Sequence, residues 1–219
     1  KLAFFSATGA VVLGTLASLV MTRMRYFRSR TLFGALITAP LVMPEVILGL
    51  SLLLLFVSMG NALNGLGIGQ FQPKGVITLW IAHVTFTLAF VTVVSSSRMS
   101  ELDKSLEEAA MDLGANRVKV FFQITLPIIA PALVSGWLLA FTLSLDDVVI
   151  SSFVSGPGST TLPIKVFSSV RLGLNPKINA LATIMVSIVA LFAVIGWWWM
   201  RREERRRQRD MQLALQDNG

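Results

Sequence analysis

The sequence contains no cysteine, only one histidine, and a charged fraction of only 14% in 219 residues. Without cysteine the chain has no disulfide, no thiolate metal site and no cysteine nucleophile. Soluble domains carry about 25% charged residues, whereas this chain combines few charges with 54% hydrophobic residues and a mean hydropathy of +0.70. This balance excludes an ordinary soluble domain and indicates a membrane protein.

Three motifs that mark common catalytic sites are also missing. The chain has no GxxxxGK[ST] nucleotide loop, no HExxH zinc motif and no GxSxG nucleophile turn. The pI of about 10.6 does not point to nucleic acid, because the basic residues flank apolar runs, as orientation signals of membrane proteins do. We therefore expect no enzyme and no nucleic-acid partner, and any ATP chemistry would belong to another subunit.

Five apolar runs are long enough for the roughly 20 residues that a membrane helix needs. The second contains Pro40 and Pro44, and the fourth contains Pro127 and Pro131. Proline kinks a helix, so we expect these two long runs to be tilted, broken or partly outside the hydrocarbon. The sequence predicts an all-α polytopic membrane protein, one domain over residues 1–219, with spans at 2–21, 32–59, 75–97, 124–153 and 178–200.

The 19 lysines and arginines are distributed unequally between the two sides of these spans. Most lie on the side that includes the loop 98–123 and the charged C-terminal tail 201–219, so this side is predicted to be cytoplasmic. Loops 60–74 and 154–177 would then face outward. With five spans Lys1 also lies outside, and a sixth, missing N-terminal span would return the N-terminus to the cytoplasm.

Two flanking segments allow more than one interpretation. Trp197, Trp198 and Trp199, next to the basic tail, are typical of an aromatic anchor at the membrane interface. The tail itself is a solvated helix, a contact with anionic lipid or a contact with an ATPase. The amphipathic piece around 164–170 either receives an external partner or is a plain loop.

The cytoplasmic loop contains a helix-turn-helix pattern. Ser105 is predicted to cap a first helix, with Glu108 completing a capping box, and Gly114 is a suitable residue just after its end. A second short helix is predicted over 116–123. The first helix either ties two spans together at the interface or docks on a partner through charge-assisted pairs. Its acidic face consists of Glu107, Glu108 and Asp112.

The spacing of this loop matches the EAA motif, in which Glu-Ala-Ala is followed after three residues by glycine, after nine more by isoleucine, and one residue later by Leu-Pro. The chain therefore resembles permease subunits of binding-protein-dependent ABC importers. The resemblance implies a type I ABC importer transmembrane domain, normally of six spans, whose coupling helix docks into a cleft of a cytoplasmic ATPase. The residues that match, and to which the resemblance implies this ATPase-coupling role, are Glu108, Ala109, Ala110, Gly114, Ile124, Leu126 and Pro127.

Three carboxylates, Glu45, Asp146 and Asp147, lie inside predicted spans. A charged carboxylate at a helix centre costs roughly 2.5–3.5 kcal/mol on insertion, so such residues usually face a cavity or a partner. No lysine or arginine lies inside these spans, and the ordinary expectation for His83 is a buried neutral ring bonded to a hydroxyl. The acids therefore predict either a path for a cation or protonated groups that donate hydrogen bonds.

The two adjacent aspartates point about 100° apart on a helix. Asp147 shares its face with small or hydroxylated residues, which would satisfy its carboxyl structurally. Asp146 has fewer such neighbours and is predicted to be the better candidate for a substrate path. Glu45, next to Pro44, either lines that path or bonds to backbone groups that a distorted helix frees. The residues on the Asp147 face are Gly136, Ala140, Ser144 and Ser151.

Segments 38–49, 136–157 and 162–182 are similar to the polyamine branch of these permeases, to its putrescine permeases first and its spermidine permeases next. One departure is Glu45, where that branch carries an aspartate. The resemblance implies ATP-driven uptake of putrescine or spermidine across the bacterial inner membrane. It also implies a homologous permease, an ATPase dimer that holds ATP and magnesium, an external polyamine-binding protein and lipid contacts, with no cofactor on this chain.

Two other functions are compatible with the same residues. A proton-coupled secondary exchanger of organic cations would use Glu45, Asp146 and Asp147 as proton relays. Its uptake would persist without ATP but collapse with the proton gradient. A structural membrane scaffold would instead show no transport defect when Glu108 or Gly114 is replaced.

Overall fold

The structure is a computed structural model that describes residues 1–24, 28–67 and 71–171 and, beyond them, positions 176, 179, 180, 182–187, 190, 191, 194, 198, 201 and 202. All regular secondary structure in these residues is helical, which confirms the all-α class. The helices are α1 (Leu2–Arg23), α2 (Arg30–Val42), α3 (Glu45–Gly65), α4 (Val76–Glu101), α5 (Lys104–Asp112), α6 (Arg117–Val120), a π-helical turn (Phe121–Thr125), α7 (Leu126–Asp146), α8 (Val149–Val154) and α9 (Leu162–Arg171).

Four helices of the described residues are long and apolar enough to cross a membrane: α1, α3, α4 and the continuous helix from Arg117 to Asp146. Helices α1 and α4 confirm the spans predicted at 2–21 and 75–97. The span predicted at 178–200 lies largely outside the described residues, as do Trp197, Trp199 and the tail beyond Arg202.

The span predicted at 32–59 is wrong in its bounds, because two helices occupy this region. Met43 is extended, with φ −76° and ψ 135°, as expected for a residue that precedes a proline. Pro44 then becomes the N-cap of α3. Helix α2 has 13 residues and is too short to span, so the membrane-crossing part of this region is α3.

The span predicted at 124–153 is also corrected. Its helix begins earlier, at Arg117, and passes through the π-helical turn before Pro127 enters at the start of α7. Proline cannot donate a backbone hydrogen bond and crowds the preceding turn, and π turns often absorb such irregularities. The helix then breaks at Asp147, which is extended with φ −61° and ψ 123°, and α8 follows.

Helices α1, α4 and α7 pack together through small residues. Ala7 and Ala10 of α1 are fully buried with Val91 of α4 and Ala140 of α7. A Cβ added to Gly14 would lie 2.9 Å from Val91 Cγ1, so only glycine permits this approach of α1 to α4. Such close contacts drive helix association in membranes, where burial of apolar surface contributes little.

A second cluster joins α3, α4 and α8. Leu48, Leu52 and Phe56 of α3 are buried against residues of α4 and against Ile150 and Val154 of α8. Because α8 is the short helix after the break at Asp147, this cluster fixes that break in place.

The chain divides into two compact units, Lys1–Lys165 and Val166–Gly219. The first contains α1 to α8. In the second, Arg202 lies with its guanidinium 3.6 Å from the centre of the Trp198 ring. Segment 164–170, predicted to be an amphipathic piece or a plain loop, is helical and lies within α9.

Candidate functional site

Helix α5 begins one turn before the EAA residues, and its cap is Asp103. The Asp103 carboxylate accepts a hydrogen bond from the Ser105 backbone N–H at 3.0 Å. This bond lowers the pKa of the exposed Asp103 carboxyl. The prediction that Ser105 caps the helix, with Glu108 in a capping box, is therefore wrong. A carboxylate is the stronger acceptor at the positive end of a helix.

Gly114 ends α5 in the manner predicted. It has φ +87°, a conformation that other residues rarely adopt. Its N–H donates to Met111 O at 2.9 Å, and the Ala115 N–H donates to Ala110 O at 3.0 Å, which is a Schellman motif. The second helix, predicted over 116–123, is α6 followed by the π-helical turn, and Asn116 caps it by accepting from the Lys119 N–H at 2.8 Å.

Glu107 does not belong to an outward acidic face, so that part of the prediction is wrong. Its carboxylate receives Arg23 Nε at 2.8 Å and Nη2 at 2.9 Å. Thr125 Oγ1 also donates to it, at 2.8 Å. Because these donors lie on the bundle side of α5, Glu107 points inward, whereas Glu108 and Asp112 are exposed.

The outward side of this region is apolar as well as acidic. Leu113 is 91% exposed, and Val118 and Phe122 are exposed by 65% and 60%. Val118 and Phe122 are four residues apart on the continuous helix and so lie on one side of it, and exposed apolar patches mark interaction surfaces. We call this surface the elbow; its residues are Glu108, Asp112, Leu113, Val118 and Phe122.

The seven EAA residues fall into two groups in space. Glu108, Ala109 and Ala110 lie on α5 and Gly114 follows it, so these four belong to the elbow side. Ile124, Leu126 and Pro127 instead form the π-helical turn and the start of α7. In the first group Glu108 and Ala109 are exposed, and the second group connects the loop to a membrane-crossing helix. The ATPase-coupling role of all seven residues stays a prediction.

Asp147 is buried and has several hydrogen-bond partners. Only 7% of it is exposed, and its two carboxylate oxygens accept from the N–H groups of Ile150, at 3.1 Å, and Ser151, at 2.8 Å. It therefore satisfies two N–H groups in the first turn of α8, whose N-cap residue is Val148. Buried Gly136, Ala140 and Ser144 share its side of α7, as predicted.

His83 of α4 completes this network. The ring is 1% exposed, with Nδ1 at 2.6 Å from Ser144 Oγ and Nε2 at 2.9 Å from Ser151 Oγ. These bonds confirm the predicted histidine–hydroxyl contact. Nε2 also lies 3.3 Å from Asp147 Oδ2, so the expectation that the acids lack a partner is wrong for Asp147. The carboxylate favours a hydrogen on Nε2 and leaves Nδ1 to accept from Ser144.

Asp146 and Glu45 are arranged differently from Asp147. Asp146 is exposed at the end of α7, and Glu45 is exposed in the first turn of α3. Within the described residues neither carboxylate has a hydrogen bond or an ion pair, so Glu45 is not bonded to freed backbone groups there. Their role in a substrate path stays a prediction.

Comparison with known proteins identifies the class to which this arrangement belongs. Residues 10–209 match the model of the binding-protein-dependent transport system inner membrane component. The chain belongs to this family, whose members are multi-pass inner-membrane permeases of ABC transporters and work with a partner permease, a separate ATPase and a binding protein.

Individual relatives are similar over most of the chain. The putrescine transport system permease protein PotI of Escherichia coli K12 is 59% identical over 209 residues, covering 95% of this chain and 73% of the relative. The spermidine/putrescine transport system permease protein PotC is 44% identical in Haemophilus influenzae, over 84% of this chain and 67% of the relative. PotC of Escherichia coli K12 is 40% identical over 89% and 69%.

Proposed function

We propose that this chain is the permease subunit of an ATP-driven polyamine uptake system, with putrescine or spermidine as its substrate. The observation that supports this most is the elbow, a capped helix ended by a Schellman glycine that exposes Glu108 and Leu113. Similarity to permeases named for putrescine and for spermidine/putrescine supports the substrate class.

The partners follow from the same proposal. A homologous permease forms the other half of the path, and two ATPase copies hold ATP and magnesium beneath the elbow. An external polyamine-binding protein delivers the substrate, and lipid contacts the exposed apolar faces. The whole chain acts as one permease domain, with the loop 98–123 and the C-terminus in the cytoplasm.

The acids suit a path for a cation that carries charge at both ends. A close charge pair is worth about 4 kcal/mol at an effective dielectric of 20. Two pairs approach about 8 kcal/mol, comparable to micromolar binding. Asp146 and Glu45 are the exposed members of the predicted set and supply this attraction, while Asp147 serves α8.

The experiment is uptake of radiolabelled putrescine by vesicles reconstituted with the complete complex, with spermidine as competitor. We expect uptake that requires ATP at the elbow side and persists when the proton gradient is collapsed. Uptake that continues without ATP but stops with the gradient would overturn the proposal in favour of an exchanger. The pairing of Asp147 with His83 and two N–H groups already argues against its use as a free proton relay.

A further inference from the structure

Helix α5 contacts the membrane-crossing helices through polar side chains. None of its nine residues is buried, and it borders a cavity of about 330 Å³ whose lining includes Leu19, Glu107, Glu108 and Phe121. An apolar interface therefore does not fix α5 to the bundle. Its most specific link is the ion pair between Glu107 and Arg23.

This pair joins three membrane-crossing helices to α5 at one point. Arg23 is the last residue of α1, and its Nη1 donates to Met99 O near the end of α4 at 3.3 Å. Thr125, which donates to the same Glu107 carboxylate, immediately precedes α7. The ends of α1, α4 and α7 thus meet at the Arg23–Glu107 pair.

The geometry of the pair suits transmission of motion. Two guanidinium nitrogens contact the carboxylate, and the two side chains are only 16% and 15% exposed. A forked contact of this kind fixes direction as well as distance, and partial burial reduces its screening by salt. An exposed pair with one contact would not do so.

We propose that Arg23 and Glu107 are positioning residues that carry movement of the elbow to α1, α4 and α7. When the ATPases move α5, the pair moves these helix ends together, while the cavity leaves α5 room to tilt. Glu108 meets the partner and Glu107 passes the motion on. This inference rests on the proposed function and assigns how its coupling step works.

The test measures polyamine uptake and ATP hydrolysis together in vesicles that contain the complete complex. The variants are Glu107→Gln, Arg23→Gln and Arg23→Lys, with the double reversal Arg23→Glu/Glu107→Arg. The control is Arg98→Gln, which removes an exposed ion pair of the same chemistry, Arg98 Nη1 to Glu101 Oε2 at 2.9 Å, within α4 alone. Copurification of the ATPase reports assembly in every sample.

We expect Glu107→Gln and Arg23→Gln to lower uptake per ATP hydrolysed by about tenfold, within the usual range of coupling between sites, while the ATPase still copurifies. Arg23→Lys keeps the charge but not the contact through two nitrogens, so uptake per ATP should fall less in this variant. The double reversal should recover part of the lost uptake per ATP. The control should keep the wild-type ratio, because its pair joins no second helix.

Other results would overturn the inference. An unchanged ratio in Glu107→Gln and Arg23→Gln would show that the pair carries no motion. If uptake fell only in proportion to the amount of assembled complex or to ATP hydrolysis, the pair would stabilise the complex without transmitting motion. If the wild-type complex itself showed no ATP-dependent uptake, the proposed function would be wrong. Failure of the proposed function is thus distinguishable from failure of the inference about the ion pair, which appears only in the variants.

Discussion

Two pairs of adjacent carboxylates, Glu107–Glu108 on α5 and Asp146–Asp147 at the end of α7, follow the same division of roles. In each pair one member is tied to the protein, and its neighbour is exposed. Neighbouring residues on a helix point about 100° apart, so one acid can bond to the bundle while the next stays exposed. An adjacent acid pair thus supplies one anchor and one free charge.

The two pairs differ in what holds the anchor. Glu107, at the end of the bundle, is held by a guanidinium. Asp147, deeper in the chain's apolar region, is held by two backbone N–H groups and the ring of His83. A permanently charged partner is expensive to bury, whereas helix-end N–H groups and a neutral imidazole are not. The polarity of the surroundings therefore determines which kind of group bonds to the buried carboxylate.

The largest expected effect tests the Asp147 anchor. Asp147→Ala leaves the two N–H groups of α8 without their acceptor and removes one of the two partners of His83 Nε2, the other being Ser151 Oγ. We therefore expect the free energy of unfolding to fall by about 3 kcal/mol. Equilibrium unfolding in detergent micelles measures this. Asp146→Ala is the matched control and should change it by less than about 0.5 kcal/mol. Equal losses in the two variants would remove the distinction between anchor and free charge.

The next effect concerns the exposed member of the α5 pair. Glu108→Lys reverses a charge on the elbow, and Gly114→Asp puts a side chain on a residue with φ +87°. No other atom lies within 4 Å of the added Cβ at Gly114, so the effect there arises from the backbone. We expect ATP hydrolysis to be uncoupled from uptake, with at least about a tenfold loss of uptake per ATP. Wild-type uptake in both variants would refute the docking role, and Glu101→Gln serves as the exposed control.

A smaller effect ranks the two aspartates in transport itself. At equal amounts of folded protein, Asp146→Asn should lower polyamine uptake by about fivefold, or about 1 kcal/mol, and Asp147→Asn by less. The reason is that Asp146 is exposed and Asp147 is already bonded. Initial uptake rates at matched protein levels decide the ranking, and the reverse order would refute this use of the two carboxylates.

The smallest effect involves Asp103, an acid outside both pairs. Its pKa is lowered by the hydrogen bond from the Ser105 N–H, so its contribution to α5 is fully present above the ordinary value of 3.8 and is lost as pH falls through the lower folded pKa. The elbow should therefore keep its cap throughout the neutral range. Titration of the Asp103 carboxyl carbon shift by NMR measures this, and a midpoint at or above 3.8 would contradict it.

Hydropathy and turn chemistry predicted much of this fold from local sequence. The runs that became α1 and α4 are long and apolar, and Gly114 occupies the one kind of position where its freedom at positive φ is needed. The proline-containing run allows a tilted helix, a broken helix or a helix partly outside the hydrocarbon, and the break before α3 is the second of these. Choosing among them requires the packing of α3 against α8, which no single segment contains.

The contacts that matter most for the site could not be predicted from residues that are close together in the sequence. Arg23 and Glu107 are 84 residues apart in sequence. For each of their segments the sequence predicts only that it is charged and cytoplasmic. His83 was correctly expected to bond a hydroxyl, but its approach to Asp147 depends on how α4 packs against the α7–α8 break. For the α5 cap, the spacing of Ser105 and Glu108 predicts a capping box, whereas the structure has Asp103 as the cap, two residues earlier.

The most direct test of the account places one cysteine on the elbow, which is practical because the chain has none. Leu113→Cys replaces a side chain that is 91% exposed, and Leu66→Cys, 71% exposed and in the loop that is predicted to face outward, is the control. We predict that Leu113→Cys cross-links to the ATPase subunit and resists a membrane-impermeant thiol reagent added to intact cells, while Leu66→Cys reacts with that reagent and does not cross-link. Labelling of Leu113→Cys from outside, without any cross-link to an ATPase, would contradict the account.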